Sequence, residues 1–188
     1  MRKLLFWIII ISGGVFFYNL DAITGQWKFD KLCKNEGGSK FYAKIDQDVG
    51  WEVESQDEHA YEDPFHFGRV AFVRFRNKQG DPFDVRIKHG SNQWSKSYDL
   101  LPANNKNIIK YRLNIEQILL PDDQRFGRTR FTITDVQLGS PVATHTYFSY
   151  MWTKPERVFL NAPTSVSCHS GSDVDSFYAA VRQSERKP

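Results

Sequence analysis

The fold is decided by the stretch RTRFTITDVQLGSPVATHTYFSYMW, which spans residues 128–152. Two runs of alternating residues in it flank the turn residues Gly139-Ser140-Pro141. Side chains of a β-strand alternate between its two faces, and a short turn joins two strands in antiparallel pairing. The stretch therefore predicts a β-hairpin. The aromatic residues of 147–152 favour a central strand that is buried on both faces.

Strand patterns continue on the N-terminal side of this hairpin. Period-two alternation occurs in residues 40–46, 69–76, 83–88 and 107–116. The stretches 22–35 and 174–183 instead carry apolar residues at helical spacing, and Asp173 is a suitable N-cap for the second. We therefore predict an α+β domain, with a short helix, an antiparallel sheet of about six or seven strands and a C-terminal helix.

The N-terminus has the composition of a signal anchor. Met1-Arg2-Lys3 precedes an apolar segment that extends over residues 4–20. Positive charges before such a segment keep the N-terminus in the cytoplasm. Signal peptidase requires a small residue two positions before Ala22, where Leu20 stands instead. We therefore predict an uncleaved transmembrane helix in residues 1–20, with a cleaved signal peptide as the alternative.

The rest of the chain is expected outside the cytoplasm. Residues 21–183 are predicted to form a single extracytoplasmic α+β domain, and residues 184–188 a frayed tail. The protein has 188 residues, so no second domain is needed. None of its asparagines begins an Asn-x-Ser/Thr triplet, which favours a bacterial envelope protein. We predict a single-pass protein of the bacterial inner membrane with its domain in the periplasm.

The two cysteines, Cys33 and Cys168, lie near opposite ends of the predicted domain. A pair of cysteines in an oxidising compartment usually forms a disulfide. Such a bond would join the first folded element to the last. Two free buried thiols are the alternative.

Pairs of basic residues recur at a spacing of two along the predicted strands. If apolar residues mark the buried face of each strand, these pairs share the opposite face. Neighbouring strands would then form a positive surface that binds an anionic partner. The alternative is a solvated sheet face that protects the sheet from aggregation. The pairs are Arg74 and Arg76, Arg86 and Lys88, Lys110 and Arg112, and Arg128 and Arg130.

A second group combines carboxylates with two histidines, and its candidate metal ligands are His59, Glu62, Asp63 and His66. These residue types bind divalent metals or act as an acid and a base. Their spacing matches no established motif. No nucleophile elbow, phosphate-binding loop or nucleotide motif occurs in the chain, so we predict no cofactor.

Short motifs resemble those of uncharacterised small, membrane-anchored proteins of bacteria. The likeness covers Leu32-Cys33, Gly37-Gly38 and Tyr42, together with Thr132-Ile133-Thr134-Asp135 and Val142-Ala143. In that family a cysteine-bearing helix runs through a glycine pair into a strand. The resemblance implies an envelope location and carries no activity.

The sequence thus favours a non-enzymatic accessory protein that binds another envelope protein or an anionic envelope component. Nucleic acid is not expected as a partner in the periplasm. The alternative function is an envelope hydrolase or metal-dependent enzyme that uses the region of His59 and His66.

Overall fold

The computed structural model describes residues 20, 23–55, 59–88, 97–151 and 165–183. This part of the chain contains two α-helices, one 3-10 helix and nine β-strands. In chain order they are α1 (23–36), β1 (Gly38–Phe41), β2 (Val49–Glu54), the 3-10 helix (Ala60–His66), β3 (Val70–Arg76), β4 (Pro82–Ile87), β5 (Tyr98–Pro102), β6 (Ile109–Leu119), β7 (Phe126–Asp135), β8 (Ser140–Met151), β9 (Ser165–Cys168) and α2 (Ser172–Gln183).

All nine described strands belong to one mixed sheet. The main order is β1, β8, β7, β6, β2, β3, β4, β5, and β9 also pairs with β8. β1 pairs with residues 143–146 of β8 and β9 with residues 148–151, so the two short strands follow one another along the same edge of β8. β2 runs parallel to β3 and to β6, whereas the other pairs are antiparallel.

The predicted α+β domain with an antiparallel sheet of six or seven strands is wrong. The described chain is mostly β, and its sheet has nine strands and is mixed. The 3-10 helix returns the chain so that β3 lies parallel to β2, and a period-two pattern cannot indicate this. The pattern also missed β5 and β9, which are short strands of five and four residues. The hairpin of β7 and β8 is confirmed.

The larger apolar core lies on one face of the sheet. Trp51 of β2 is its largest buried side chain, and the Trp51 ring contacts the rings of Phe67 and Tyr111 at centroid distances of 5.3 and 5.2 Å. α2 covers this face with Phe177 and Val181, which are both buried in the same cluster. α2 therefore covers the larger core on this face of the sheet.

α1 packs in a second, smaller core. Phe29 of α1 contacts Tyr150 at a ring distance of 5.9 Å, and Phe126 stacks on Tyr150 from β7 at 4.7 Å. Phe126 of this core and Ile133 of the larger core are an odd number of positions apart along β7, so their side chains lie on opposite faces of the sheet. α1 and α2 therefore pack on opposite faces of the sheet.

The predicted disulfide is confirmed. Cys33 of α1 is bonded to Cys168 at the end of β9, with a Cα–Cα distance of 6.0 Å and a sequence separation of 135. The bond fastens α1 to the edge of the sheet. No helix among the described residues is long and apolar enough to span a membrane. Residues 1–19 and 184–188, which include nearly all of the predicted anchor and the predicted tail, lie outside the described residues.

Candidate functional site

The face of the sheet opposite the larger core carries many charged side chains. We call these residues the charged face. Strand register and side-chain alternation place them on the same side. They are Arg128 and Arg130 of β7, Lys110, Arg112 and Glu116 of β6, Glu52 and Glu54 of β2, Arg74 and Arg76 of β3, and Asp84 and Arg86 of β4.

One row across this face alternates in charge. Arg112, Glu52, Arg74 and Asp84 stand directly opposite one another on four adjacent strands. Arg112 Nη2 lies 2.9 Å from Glu52 Oε2, and Arg112 Nε lies 3.3 Å from Glu54 Oε1. On the other side of β2, Arg74 Nε donates to Asp84 Oδ1 at 2.7 Å. Carboxylates therefore separate the arginines of neighbouring strands.

The Arg74–Asp84 pair is the most buried part of this row. The Asp84 side chain is 2% exposed, and it also accepts hydrogen bonds from the Asn104 backbone N–H at 3.1 Å and from Asn107 Nδ2 at 2.8 Å. Burial alone raises the pKa of Asp84, but the hydrogen bonds from Arg74, Asn104 and Asn107 outweigh it, so this pKa lies below its usual value. Asp84 is therefore held as a carboxylate.

The predicted basic pairs lie on one face, but several of their side chains are engaged by acceptors. Lys110 pairs with Asp46, and Arg128 Nη2 lies 2.9 Å from Glu116 Oε2. Arg130 Nε donates to Thr146 Oγ1 at 3.3 Å, and Arg76 Nη1 to the Gly80 carbonyl at 3.1 Å.

Arg86 and Lys88 are exposed at the end of β4. Seven of the eight predicted basic side chains lie on the charged face, and Lys88 follows the last residue of β4. The sequence pattern missed Glu52 and Glu54, because only the position of β2 between β6 and β3 brings them onto this face. The anion-binding role of the eight basic residues stays a prediction.

Two neighbouring clefts open where β2 ends. β6 continues beyond Asn114, the partner of Glu54. Its next residues pair with β7 on one side and line a cleft of about 540 Å³ on the side where β2 has ended. Glu54, Asp63 and Glu116 give this cleft acidic walls. The second cleft, of about 310 Å³, shares Glu54 and is lined by Tyr61 and Arg76.

The structure separates the two histidines of the predicted metal group. His59 Nδ1 lies 4.0 Å from Glu62 Oε1, and both side chains are exposed. His66 instead stacks on Tyr178 of α2 at a ring distance of 5.5 Å. Burial raises the pKa of Tyr178, and the neighbouring Asp63 raises it further. Within the described ranges, no three His, Cys, Asp or Glu side chains are placed to hold a metal ion. A metal role for these four residues stays a prediction.

A buried histidine that sequence reasoning did not select joins β1, β8 and the loop before α2. His145 is fully buried, and its Nε2 lies 2.7 Å from the His169 carbonyl, to which it must donate. Its Nδ1 therefore accepts the Ser39 hydroxyl, 2.8 Å away. Burial lowers the pKa of His145, although the hydrogen bond to His169 acts in the opposite direction. His145 is thus satisfied as a neutral ring.

The contact between Ser39 and His145 results from the register of β1 on β8. Ser39 stands directly opposite His145 in the ladder, so the two side chains meet on one face. Nothing in the local sequence of either residue indicates that pairing. His169 adds a link to the disulfide, because its Nε2 lies 3.3 Å from the Cys33 carbonyl and its Nδ1 lies 3.0 Å from Asp173 Oδ2.

Comparison with known proteins assigns no family to the chain. No family model, no curated protein and no solved structure matches it. The likeness to small membrane-anchored bacterial proteins therefore stays a prediction.

Proposed function

We propose that this chain is a non-enzymatic interaction protein, anchored in the bacterial inner membrane by its N-terminus, whose domain in the periplasm binds another envelope protein through the charged face. The observation that carries the proposal is the Cys33–Cys168 disulfide. Stable disulfides are rare in the cytosol and common in exported proteins. The bond agrees with the basic and apolar N-terminal sequence, which has the composition of an export signal.

The position of the disulfide also agrees with an anchored domain. Cys33 lies on α1, the first described helix after the apolar segment 4–20. Its partner Cys168 is the last residue of β9, at the edge of the sheet. In a domain that is tethered at its N-terminus, the bond between Cys33 and Cys168 would hold α1 against the last strand.

The charged face supports the binding part of the proposal. Among the described residues, α1 packs on this side of the sheet only at the end formed by Phe126 and Tyr150. The row from Arg112 to Asp84 lies on strands farther along the sheet. Arginines held by neighbouring carboxylates are pre-organised, so a partner with a complementary charge pattern would bind them with little loss of side-chain entropy.

Location and redox state are tested first. In intact cells of the native host, a membrane-impermeant maleimide should not label the chain before reduction, and should label two thiols after reduction. The chain should also stay in the membrane fraction after extraction with alkaline carbonate. Two thiols that are reactive without reductant, or release of the chain by carbonate, would contradict the proposal.

The binding surface is tested by charge reversal. Arg76→Glu with Arg86→Glu changes two exposed arginines of the charged face. Lys44→Glu with Arg182→Glu makes the same change in net charge at exposed residues outside that face. In-cell crosslinking followed by mass spectrometry should capture a reproducible envelope protein with the wild type and the control, but not with the first variant. Equal capture by both variants would exclude the charged face as the binding surface.

A further inference from the structure

α1 has one side that packs on the domain. Phe29 is buried, and Leu32 and Cys33 pack in the same small core. Gly25 lies on this side too, where a Cβ atom would come 2.1 Å from the Tyr150 hydroxyl oxygen. These residues recur at helical spacing, so they form one stripe along the helix.

The opposite stripe of α1 is apolar and exposed. Ile23 is 62% exposed and Trp27 is 68% exposed, and they lie one turn apart. We call this side of α1 the outer stripe. At 100° per residue, this stripe points directly away from the stripe of Gly25, Phe29 and Leu32. Among the residues that the structure describes, neither apolar core includes Ile23 or Trp27.

Basic residues continue the outer stripe toward the C-terminus of α1. Lys31 Nζ lies 5.4 Å from the centroid of the Trp27 ring, and Lys34 is exposed on the next turn. A tryptophan beside lysines is typical of helices at the boundary between lipid chains and headgroups. The indole lies among the upper acyl chains there, and the ammonium groups lie near lipid phosphates.

We infer that the outer stripe of α1, formed by Ile23, Trp27 and Lys31, lies on the surface of the membrane in which the chain is anchored. The inference rests on the proposed anchor, because the stripe begins at Ile23, shortly after the apolar segment 4–20 ends. Because the preceding segment is proposed to enter the bilayer, lipid is the partner that we assign to the stripe. The bilayer surface is within reach of α1 as soon as residues 4–20 are inserted.

Contact of α1 with lipid sets the orientation of the whole domain. The disulfide, the close approach of Gly25 to Tyr150 and the contact of Phe29 with Tyr150 all hold α1 against the sheet. α1 therefore does not turn independently of the strands. α1 therefore lies between the bilayer and the end of the sheet formed by Phe126 and Tyr150, and the turn of the β7–β8 hairpin lies at the other end of these strands.

The experiment uses quenching of tryptophan fluorescence by lipids brominated near the headgroup. The full-length chain is reconstituted in vesicles of phosphatidylethanolamine and phosphatidylglycerol, in a Trp7→Phe background that removes the indole of the apolar segment. Brominated lipid should quench the emission of this protein, and most of that quenching should disappear when Trp27→Phe is added. Trp27 is exposed, so its replacement is not expected to impair folding. Equal quenching with and without Trp27 would overturn the inference.

A matched control places an indole at the far end of the domain. Leu138 is 75% exposed in the turn of the β7–β8 hairpin, and the twelve residues of β8 span about 40 Å. Leu138→Trp, added to the variant without Trp7 and Trp27, should increase the emission without increasing the part that brominated lipid quenches. Quenching at Leu138→Trp as strong as at Trp27 would overturn the proposed orientation.

Flotation of the same vesicles on a density gradient separates the two proposals. A chain that floats and shows quenching through Trp27 supports both. If the chain floats but Trp27 is not quenched, the proposed anchor is supported and the proposed contact of α1 with lipid is refuted. A chain that does not float loses the anchor, and the inference fails with it.

Discussion

Arg74 and Asp84 stand directly opposite each other on β3 and β4 and form a two-pronged ion pair, with Nε–Oδ1 and Nη2–Oδ2 distances of 2.7 and 3.0 Å. Arg74 Nη2 also donates to the Asn104 carbonyl at 2.8 Å. The Asn104 backbone N–H and Asn107 Nδ2 both donate to Asp84. The pair therefore fastens the loop between β5 and β6 to the hairpin of β3 and β4.

Asp84→Ala should destabilise the protein by about 2 to 4 kcal/mol, because it leaves the guanidinium of Arg74 buried without its carboxylate and removes the acceptor of two further donors. Urea unfolding of the purified full-length chain measures the change. Asp122→Ala, at an exposed turn position, is the control and should change the free energy of unfolding by less than about 0.5 kcal/mol. Equal losses of unfolding free energy in the two variants would show that the ion pair contributes no more to stability than an exposed aspartate.

Reduction of the Cys33–Cys168 bond should lower the free energy of unfolding by about 4 to 5 kcal/mol, because the unfolded chain regains the freedom of a 135-residue loop. The measurement is urea unfolding with and without dithiothreitol. The variant with both cysteines changed to serine should resemble the reduced protein and should not respond to dithiothreitol. If reduction leaves the unfolding midpoint unchanged, the bond does not stabilise the attachment of α1.

Acid should destabilise the protein through His145. Its pKa in the folded protein lies below the ordinary value, so the unfolded chain binds the proton first as the pH falls. The stabilising contribution is therefore complete above about pH 6.5, and it declines below that by at most about 1.4 kcal/mol per pH unit. Ser39, His169 and Asp173 are the polar groups around the ring.

The test compares the wild type with His145→Gln by thermal unfolding between about pH 7 and pH 5. The wild type should lose stability across this range, and the variant should show a smaller slope. Asp84 has a lowered pKa as well, but its contribution is lost only as the pH falls below about 4. An unchanged slope in His145→Gln would refute the role of the buried ring.

Gly25→Ala should loosen α1, because the new methyl group would lie 2.1 Å from the Tyr150 hydroxyl oxygen and 2.7 Å from the adjacent ring carbon. The helix or the ring then has to move, which typically costs about 1 to 3 kcal/mol. Hydrogen exchange of the α1 amides measures the loosening. Lys34→Ala, on the exposed side of α1, should leave exchange unchanged. Adding Tyr150→Phe should partly restore protection, because it removes the closer of the two atoms.

Several features could be predicted because they depend on residues that are near one another in sequence. The β7–β8 hairpin follows from the alternation in residues 128–152 and from the turn at Gly139. The basic side chains of β3, β4, β6 and β7 share one face because alternation fixes the side on which each side chain lies. The disulfide was predictable because the chain has only two cysteines.

Features that depend on strand order could not be predicted. Glu52 lies between Arg112 and Arg74 only because β2 is inserted in parallel between β6 and β3. That insertion converts an apparently basic surface into a face of alternating charge. The contact of Ser39 with His145 likewise depends on the register of an edge strand that is 106 residues away in sequence.

The sequence by itself determined the strand and helix patterns of the hairpin and the two helices, the face on which each basic side chain lies, and the pairing of the two cysteines. Local periodicity and composition are enough for these, because they are set by backbone geometry within one element. Only the tertiary structure decided which strands are neighbours, and hence the charge pattern of the sheet face, the buried state of His145 and the outward stripe of α1. These depend on contacts between distant parts of the chain, which form when the apolar faces are buried together.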